Sequence, residues 1–283
     1  MINSSRQLKD KVRNISDGNN NKAATLLRNF MMERFLERVS LSSYRNNFIL
    51  KGGMLVASIV GVNMRATMDI DTTVKALPLN EQDVQKIIEE ICDIKLEDNV
   101  SFQIKSIKTI MEEFEYPGIR VMLEATLDRM RQPIKIDIST DDVITPKAIN
   151  YEYKLMFEER KISVLTYNIE TLLAEKMQTI LKRGLANTRL RDFYDVYSIL
   201  NYDKENVDQA TLLKAFTATC QKRESVFTEE DIREILLLIL EDVQMKELWM
   251  QFKSNNFYVG NLRWETVIDY VSRFMKDILL KSK

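Results

Sequence analysis

Three aspartates carry the chemistry this sequence can offer. Asp69 and Asp71 lie in Arg65-Ala66-Thr67-Met68-Asp69-Ile70-Asp71-Thr72-Thr73-Val74, and Asp137 lies in Gln132-Pro133-Ile134-Lys135-Ile136-Asp137-Ile138-Ser139. In an extended strand, residues two apart point to one side, about 6–7 Å apart along the chain, so Asp69 and Asp71 share a face and Ile70 takes the opposite, apolar one. Carboxylates this close repel unless a cation neutralises them, and paired hard oxygens suit Mg²⁺ or Mn²⁺ carrying a triphosphate. The same spacing also describes an alternating edge strand facing solvent. Asp137 sits between two isoleucines in a second alternating run, and a neighbouring strand in a sheet lies only about 4.8 Å away, so it can complete a three-carboxylate cluster. Such a cluster can hold two metals, one on the nucleotide phosphates and one lowering the pKa of an attacking hydroxyl.

A phosphate cradle is the second candidate. Phe48-Ile49-Leu50 reads as a short buried strand running into Lys51-Gly52-Gly53, after which Met54 to Val60 can begin a helix. Adjacent glycines let the backbone approach a ligand, and the free N–H groups that open a helix bind phosphate. Alone, the Gly-Gly pair also fits a simple turn. Arg65 precedes the Asp-x-Asp strand, where it can clamp a phosphate bidentately or lie at the surface. Thr67, two residues before Asp69, projects to the carboxylate side and is a candidate self-modification target.

Composition narrows the alternatives. The 283 residues include no histidine, which excludes a Ser/His/Asp or Cys/His centre, a His-ligated zinc and a histidine base. Chemistry must fall to carboxylates, Lys, Arg, Tyr or a bound metal. Forty-one Lys and Arg against 42 Asp and Glu, 45% apolar residues, 7 Gly and 4 Pro describe a globular, helix-rich protein. Cys92 and Cys220 stand far apart in no CxxC spacing, as expected of core thiols in a reducing cytosol. The N-terminal MINSSRQLKDKVRN lacks the apolar stretch of a signal peptide, and the aliphatic run Ile235 to Leu240 is too short to span a bilayer, so a cytoplasmic protein without membrane contact is expected. Residues 1–45 carry nine Lys and Arg against four Asp and Glu, a basic arm for RNA or simply a solvated helix surface.

The elements that must position these groups follow from periodicity. Leu26, Leu27, Phe30, Met31, Phe35 and Val39 predict an amphipathic helix with one buried face. Short β-like runs fill the middle third, NNFILKGG, MDIDTTV, VSFQIKSIKTI, GIRVMLEATL, QPIKIDIST and KISVLTY, with one helical stretch near Glu81 to Ile91. After Asn168 the pattern is helical, as in IETLLAEKMQTILKR, RDFYDVYSIL and EEDIREILLLILEDVQM. The expected fold class is α/β (α+β): an N-terminal helical segment over 1–45, a small mixed-sheet domain over 46–167 and a helical domain over 168–283.

The order strand, Gly-Gly, helix, Asp-x-Asp, later Asp resembles nucleotidyltransferases of the DNA polymerase β-like superfamily. Gly52, Gly53, Asp69, Asp71 and Asp137 match it, with a longer intervening loop of fifteen residues between Gly53 and Asp69. More specifically, KGGMLVAS, RATMDIDTTV, IKIDISTDDVITP, YNIETLLAEKMQTILKRG and NTRLRDFYDVYSIL, spread from Asn47 to Leu200, resemble the AbiEii/AbiGii toxin family of abortive-infection and type IV toxin-antitoxin systems.

The resemblance implies metal binding by Asp69 and Asp71, with Asp137 a metal ligand or activating base, and nucleotide binding near Lys51, Gly52, Gly53, Arg65 and Thr67. It adds Lys176 in AEKM and Asp192 in RDFYD. Lys176 lies in an otherwise apolar helix, where a buried ammonium needs a phosphate or a carboxylate partner. A structural salt bridge to Asp192 or Glu175 is the plainer alternative. Asp192 and Asp195 share a helix face. Lys182, Arg183, Arg189 and Arg191 suit an RNA backbone or a solvated helix end equally. The implied enzyme uses Mg²⁺ or Mn²⁺ to transfer NMP from an NTP to a hydroxyl of RNA, such as tRNA, or of protein, as the toxin of an antiphage pair with a separate antitoxin. A small-molecule, antibiotic-type nucleotidyltransferase and a non-catalytic nucleotide-binding module are the alternatives.

Overall fold

The computed structural model describes residues 1–111 and 117–280. The chain forms two compact units, one of Met1–Ser58, Ala66–Asp142 and Ala148–Thr166, the other of Ile59–Arg65, Val143–Lys147 and Tyr167–Lys283. Together they give the expected mixture of helices with one mixed sheet.

The first unit opens with α1 (Ser5–Ser16) and α2 (Asn20–Leu41), followed by β1 (Phe48–Lys51), α3 (Gly52–Val60), β2 (Asp69–Val74) and α4 (Glu81–Cys92). β3 (Val100–Met111), β4 (Pro117–Leu127), β5 (Met130–Thr140), β6 (Ile149–Lys154) and β7 (Lys161–Thr166) complete a seven-stranded sheet of order β3-β4-β5-β2-β1-β7-β6. β2 runs parallel to β5 and β1 parallel to β7, while the other pairs are antiparallel. The alternation in β5 sorts its side chains: Ile134, Ile136 and Ile138 are buried on one face, leaving Lys135, Asp137 and Ser139 for the other. In β2, Ile70 joins the apolar face, where it lines a narrow cavity with Phe35, Leu36 and Val39 of α2.

α2 departs from the one-sided burial its periodicity predicts. From Phe30 to Val39 every residue is buried, including Glu33, Arg34, Glu37 and Arg38. Ion pairing makes this possible. The Arg38 guanidinium holds both oxygens of the buried Asp98, at 2.8 and 2.9 Å, and donates to the Val100 carbonyl at 2.7 Å. Arg34 pairs with Glu37 at 2.9 Å. Sequence periodicity registers a charged residue as solvent-facing and cannot see partners supplied from distant segments.

The second unit is helical: α5 (Ile169–Arg183), α6 (Leu190–Asp203), α7 (Gln209–Lys222), α8 (Glu229–Glu241), α9 (Val243–Asn255) and α10 (Trp264–Leu279). Asn168 caps α5 by accepting from the Thr171 N–H at 2.7 Å, which fixes the start of the helix that carries Lys176. α6 packs on α5 and α10, with Phe193 edge-on to Trp264 at 5.2 Å between ring centroids.

Candidate active site

Strand register assembles the first cluster. Asp71 stands opposite Asp137 across β2 and β5, Lys51 opposite Asp71 across β1 and β2, and Arg120 opposite Asp137 across β4 and β5. One row across four strands therefore carries two carboxylates at its centre and a cation at each end. In the next position along β2, on the same face, Asp69 stands opposite Lys135. Asp69, Asp71 and Asp137 each bring a carboxylate oxygen within 4.8 Å of the others, a spacing suited to a shared metal ion.

Protein cations surround this centre. Lys135 Nζ lies 2.6 Å from Asp69 Oδ2 and 3.4 Å from Asp137 Oδ2. Arg120 grips Asp137 with two hydrogen bonds, Nε to Oδ1 at 2.7 Å and Nη2 to Oδ2 at 2.8 Å. Lys51 donates to Ser139 Oγ at 2.8 Å and pairs with Asp142. Burial pushes the Asp71 carboxyl up to about 6, helped by the negative charge of Asp69 and opposed by the Lys51 ammonium. Burial alone would lower the Lys135 ammonium, yet its hydrogen bond to Asp69 and the surrounding carboxylates hold it above its ordinary value. A hard-oxygen set of this kind fits Mg²⁺ or Mn²⁺.

Gly52 shows how closely the backbone is drawn in. Its φ is +63°, and a Cβ there would lie 2.1 Å from Asp71 Oδ2. Only glycine leaves room for the carboxylate, and α3 opens at this residue, two residues earlier than the sequence suggests. Thr67 is buried, with its hydroxyl 3.4 Å from Asp69 Oδ1 and 3.2 Å from the Asp69 carbonyl.

The second unit holds a separate ion cluster. Lys176 Nζ donates to Asp195 Oδ2 at 2.6 Å and to Asp192 Oδ1 at 3.2 Å. Arg65 also meets Asp195, Nε to Oδ1 at 2.5 Å and Nη2 to Oδ2 at 3.3 Å, with its guanidinium over the Tyr258 ring. Arg65 is thus a buried ion-pair partner and not a surface residue. Burial acts against both cations, but Asp195 raises Arg65, and Asp195 with Asp192 raises Lys176. The same attraction lowers the Asp195 carboxyl although burial opposes it. Asp192 keeps one buried oxygen, Oδ2, without a hydrogen-bond partner. Lys182, Arg189 and Arg191 are exposed and Arg183 is half-buried.

A family model described as nucleotidyl transferase AbiEii toxin, type IV TA system, matches residues 34–270. The chain belongs to the AbiEii family. This confirms the resemblance carried by the five motifs and makes the protein a nucleotidyltransferase of a type IV toxin-antitoxin family, which implies an antitoxin partner. No curated protein matches the chain. Among solved structures, it is similar to JHP933 from Helicobacter pylori, with 14% identity, coverage of 89% of this chain and 94% of that one, and a TM-score of 0.48. It is also similar to an antigenic nucleotidyltransferase-like protein from Paracoccidioides brasiliensis, with 15% identity, coverage of 79% and 92%, and a TM-score of 0.38. Among the described residues, no helix is long and apolar enough to cross a membrane.

Two charged residues of this AbiEii chain, Lys135 and Arg120, escaped sequence reasoning, and a third, Asp195, was seen without its role. Lys135 shares the strand face of Asp137, two residues on, and that alternation was available as a signal. Asp195 was visible as a face-mate of Asp192 but not as the hub that joins Arg65 to Lys176. Arg120 left no local signal, because its partner is set by the register of β4 on β5.

Proposed function

We propose that this AbiEii protein transfers the nucleotidyl group of an NTP to a hydroxyl of an acceptor RNA, such as tRNA, or of a protein, and that it acts in the cytoplasm as a growth-arresting toxin. The observation that carries this reading is the convergence of Asp69, Asp71 and Asp137 within 4.8 Å beside a glycine that has no room for a side chain. These three carboxylates hold the divalent ion, Mg²⁺ or Mn²⁺. When bound there, such an ion neutralises phosphate charge and lowers the pKa of the attacking hydroxyl.

The chain's own residues supply the rest. Gly52 and Gly53 with Lys51 line the opening of α3, where free backbone N–H groups and an ammonium receive the phosphates. The acceptor oxygen attacks the α-phosphorus, the bond from that phosphorus to the bridging oxygen breaks, and pyrophosphate leaves with the electron pair. Asp137 acts as a metal ligand or takes the hydroxyl proton. Thr67 lies beside Asp69 and is a candidate acceptor within the protein itself. Lys176 and Asp192 take part in transfer, a role supported by the resemblance of the AEKM and RDFYD segments to the family's motifs and by the unpartnered Asp192 Oδ2. Arg65 acts through Asp195, whose carboxylate it orients. Induced expression tests the cellular half of the proposal: the wild-type chain should stop bacterial growth, whereas Asp69→Asn at equal folded abundance should not. Equal toxicity of the two would contradict it.

A further inference from the structure

We propose that Lys135 is an exchangeable counter-ion, neutralising Asp69 and Asp137 while no metal is bound and passing to the nucleotide phosphates when a divalent ion takes its place. The proposal rests on the metal-site reading above. One ammonium bridges two of the three carboxylates, 2.6 Å from Asp69 and 3.4 Å from Asp137, so it competes for oxygens that the metal also needs. An ammonium and a divalent ion on the same oxygens repel, and one must move.

Lys135 is the one built to move. Lys135 and Arg120 are both partly exposed, but Lys135 ends in a point charge on a flexible four-carbon stem. Arg120, in contrast, holds both oxygens of Asp137 in a planar fork that loses two hydrogen bonds at once if it swings away. Charge balance favours the same exchange. Asp69, Asp71, Asp137 and Asp142 face Lys51, Lys135, Arg120 and the nearby Arg28, so the metal-free site is close to neutral. A divalent ion added with these cations in place turns the site net positive, and an incoming triphosphate draws the released ammonium. Metal and nucleotide binding then reinforce each other reciprocally, because Lys135 loses a partner to the first and regains one from the second.

Lysine footprinting of the intact wild-type chain tests this without a variant. Brief acetylation with acetic anhydride, read by mass spectrometry at Lys135, is compared in metal-free buffer, with Mn²⁺, and with Mn²⁺ plus a mixture of the four α,β-methylene NTPs. Bound Mn²⁺ is counted in the same samples by electron paramagnetic resonance. Lys135 modification should rise several-fold with Mn²⁺ and fall back with nucleotide, while the exposed Lys108 stays constant. Lys135→Met should bind Mn²⁺ alone about tenfold more tightly and lose the further tightening caused by nucleotide. Mn²⁺ bound with Lys135 reactivity unchanged, or folded Lys135→Met binding Mn²⁺ no more tightly, overturns the counter-ion role and leaves the metal site standing. No Mn²⁺ bound even with nucleotide overturns the metal-site reading, and this proposal with it.

Discussion

Asp71 on β2 stands opposite Asp137 on the parallel strand β5, and the row they form ends in Lys51 on one side and Arg120 on the other. The acidic pair is therefore set by sheet pairing and not by loop conformation. A slip of one residue in β5 would turn Asp137 into the apolar face beneath α2 and present Ile136 or Ile138 in its place. Burying the Asp71 carboxylate, with the charges of Asp69 and then Asp137 beside it, raises the free energy of the metal-free protein, which is visible in the Asp71 carboxyl pushed up to about 6.

Removing that charge should separate stability from binding. Asp71→Asn is expected to stabilise the metal-free protein by about 2 kcal/mol, since a neutral amide avoids the buried charge. The double variant Asp69→Asn with Asp71→Asn should lose the rise in melting temperature that Mg²⁺ and NTP confer on the wild type, worth about 2.7 kcal/mol at one hundred times Kd. Thermal melts with and without both ligands check this, and an unchanged ligand-induced shift in the double variant would place the site elsewhere.

Gly52→Ala should be far more harmful than Gly61→Ala. Both glycines have positive φ, +63° and +94°, so alanine at either costs about 1–2 kcal/mol of backbone strain. At Gly61 nothing lies within 4 Å of the added methyl, whereas at Gly52 it would overlap Asp71. Transfer per folded molecule should fall about 100-fold or more in Gly52→Ala and stay near normal in Gly61→Ala.

Glu33 gives the fold a pH dependence of definite sign. Burial pushes its carboxyl from 4.5 up to about 7, although the Met156 N–H, the Arg34 charge and the Tyr153 hydroxyl pull the other way. Between these pH values the folded chain binds the proton more tightly than the unfolded chain does. The contribution is fully present below about pH 4.5 and is lost as pH rises through 7, amounting to about 3 kcal/mol. Glu33→Gln, which still accepts from Met156 N–H, should flatten that part of the stability curve in urea titrations from pH 5 to 8.

Asp195 and Lys176 should differ. Asp195→Asn leaves the buried Arg65 and Lys176 without their shared carboxylate and should cost about 3–5 kcal/mol. Lys176→Met leaves Arg65 on Asp195, so the fold should persist, with nucleotide transfer per folded molecule reduced about 100-fold or more. Circular dichroism and melting temperature set the folded fraction for both. Near-normal transfer from well-folded Lys176→Met would confine Lys176 to a structural role.

Much of the sheet and its chemistry is legible in the sequence because alternation is local. Ile134, Ile136 and Ile138 against Lys135, Asp137 and Ser139 announce both a strand and its polar face, and β2 does the same around Ile70. β6 escaped, since INYEYK is a short strand at the edge of the sheet, mostly exposed and carrying charge, where little burial shapes the pattern. The pairing of Arg120 with Asp137 and of Arg38 with Asp98 depends on register and on contacts 17 and 60 residues apart, which no local window contains. The Gly-Gly turn was visible as a turn. Its reason, the oxygen of Asp71 where a Cβ would sit, needed the strand pairing of β1 with β2.

Position-specific labelling tests the central claim most directly. Purified wild-type chain, Mg²⁺ and total bacterial RNA are incubated with each NTP carrying ³²P at either the α or the γ phosphate, and RNA, protein and released phosphates are resolved. Nucleotidyl transfer requires α label on an RNA or on a protein, γ label released in pyrophosphate, and neither event with Asp69→Asn plus Asp71→Asn. Label on an acceptor from the γ position, or α label transferred equally well by the double variant, would contradict nucleotidyl transfer at the Asp69, Asp71 and Asp137 cluster.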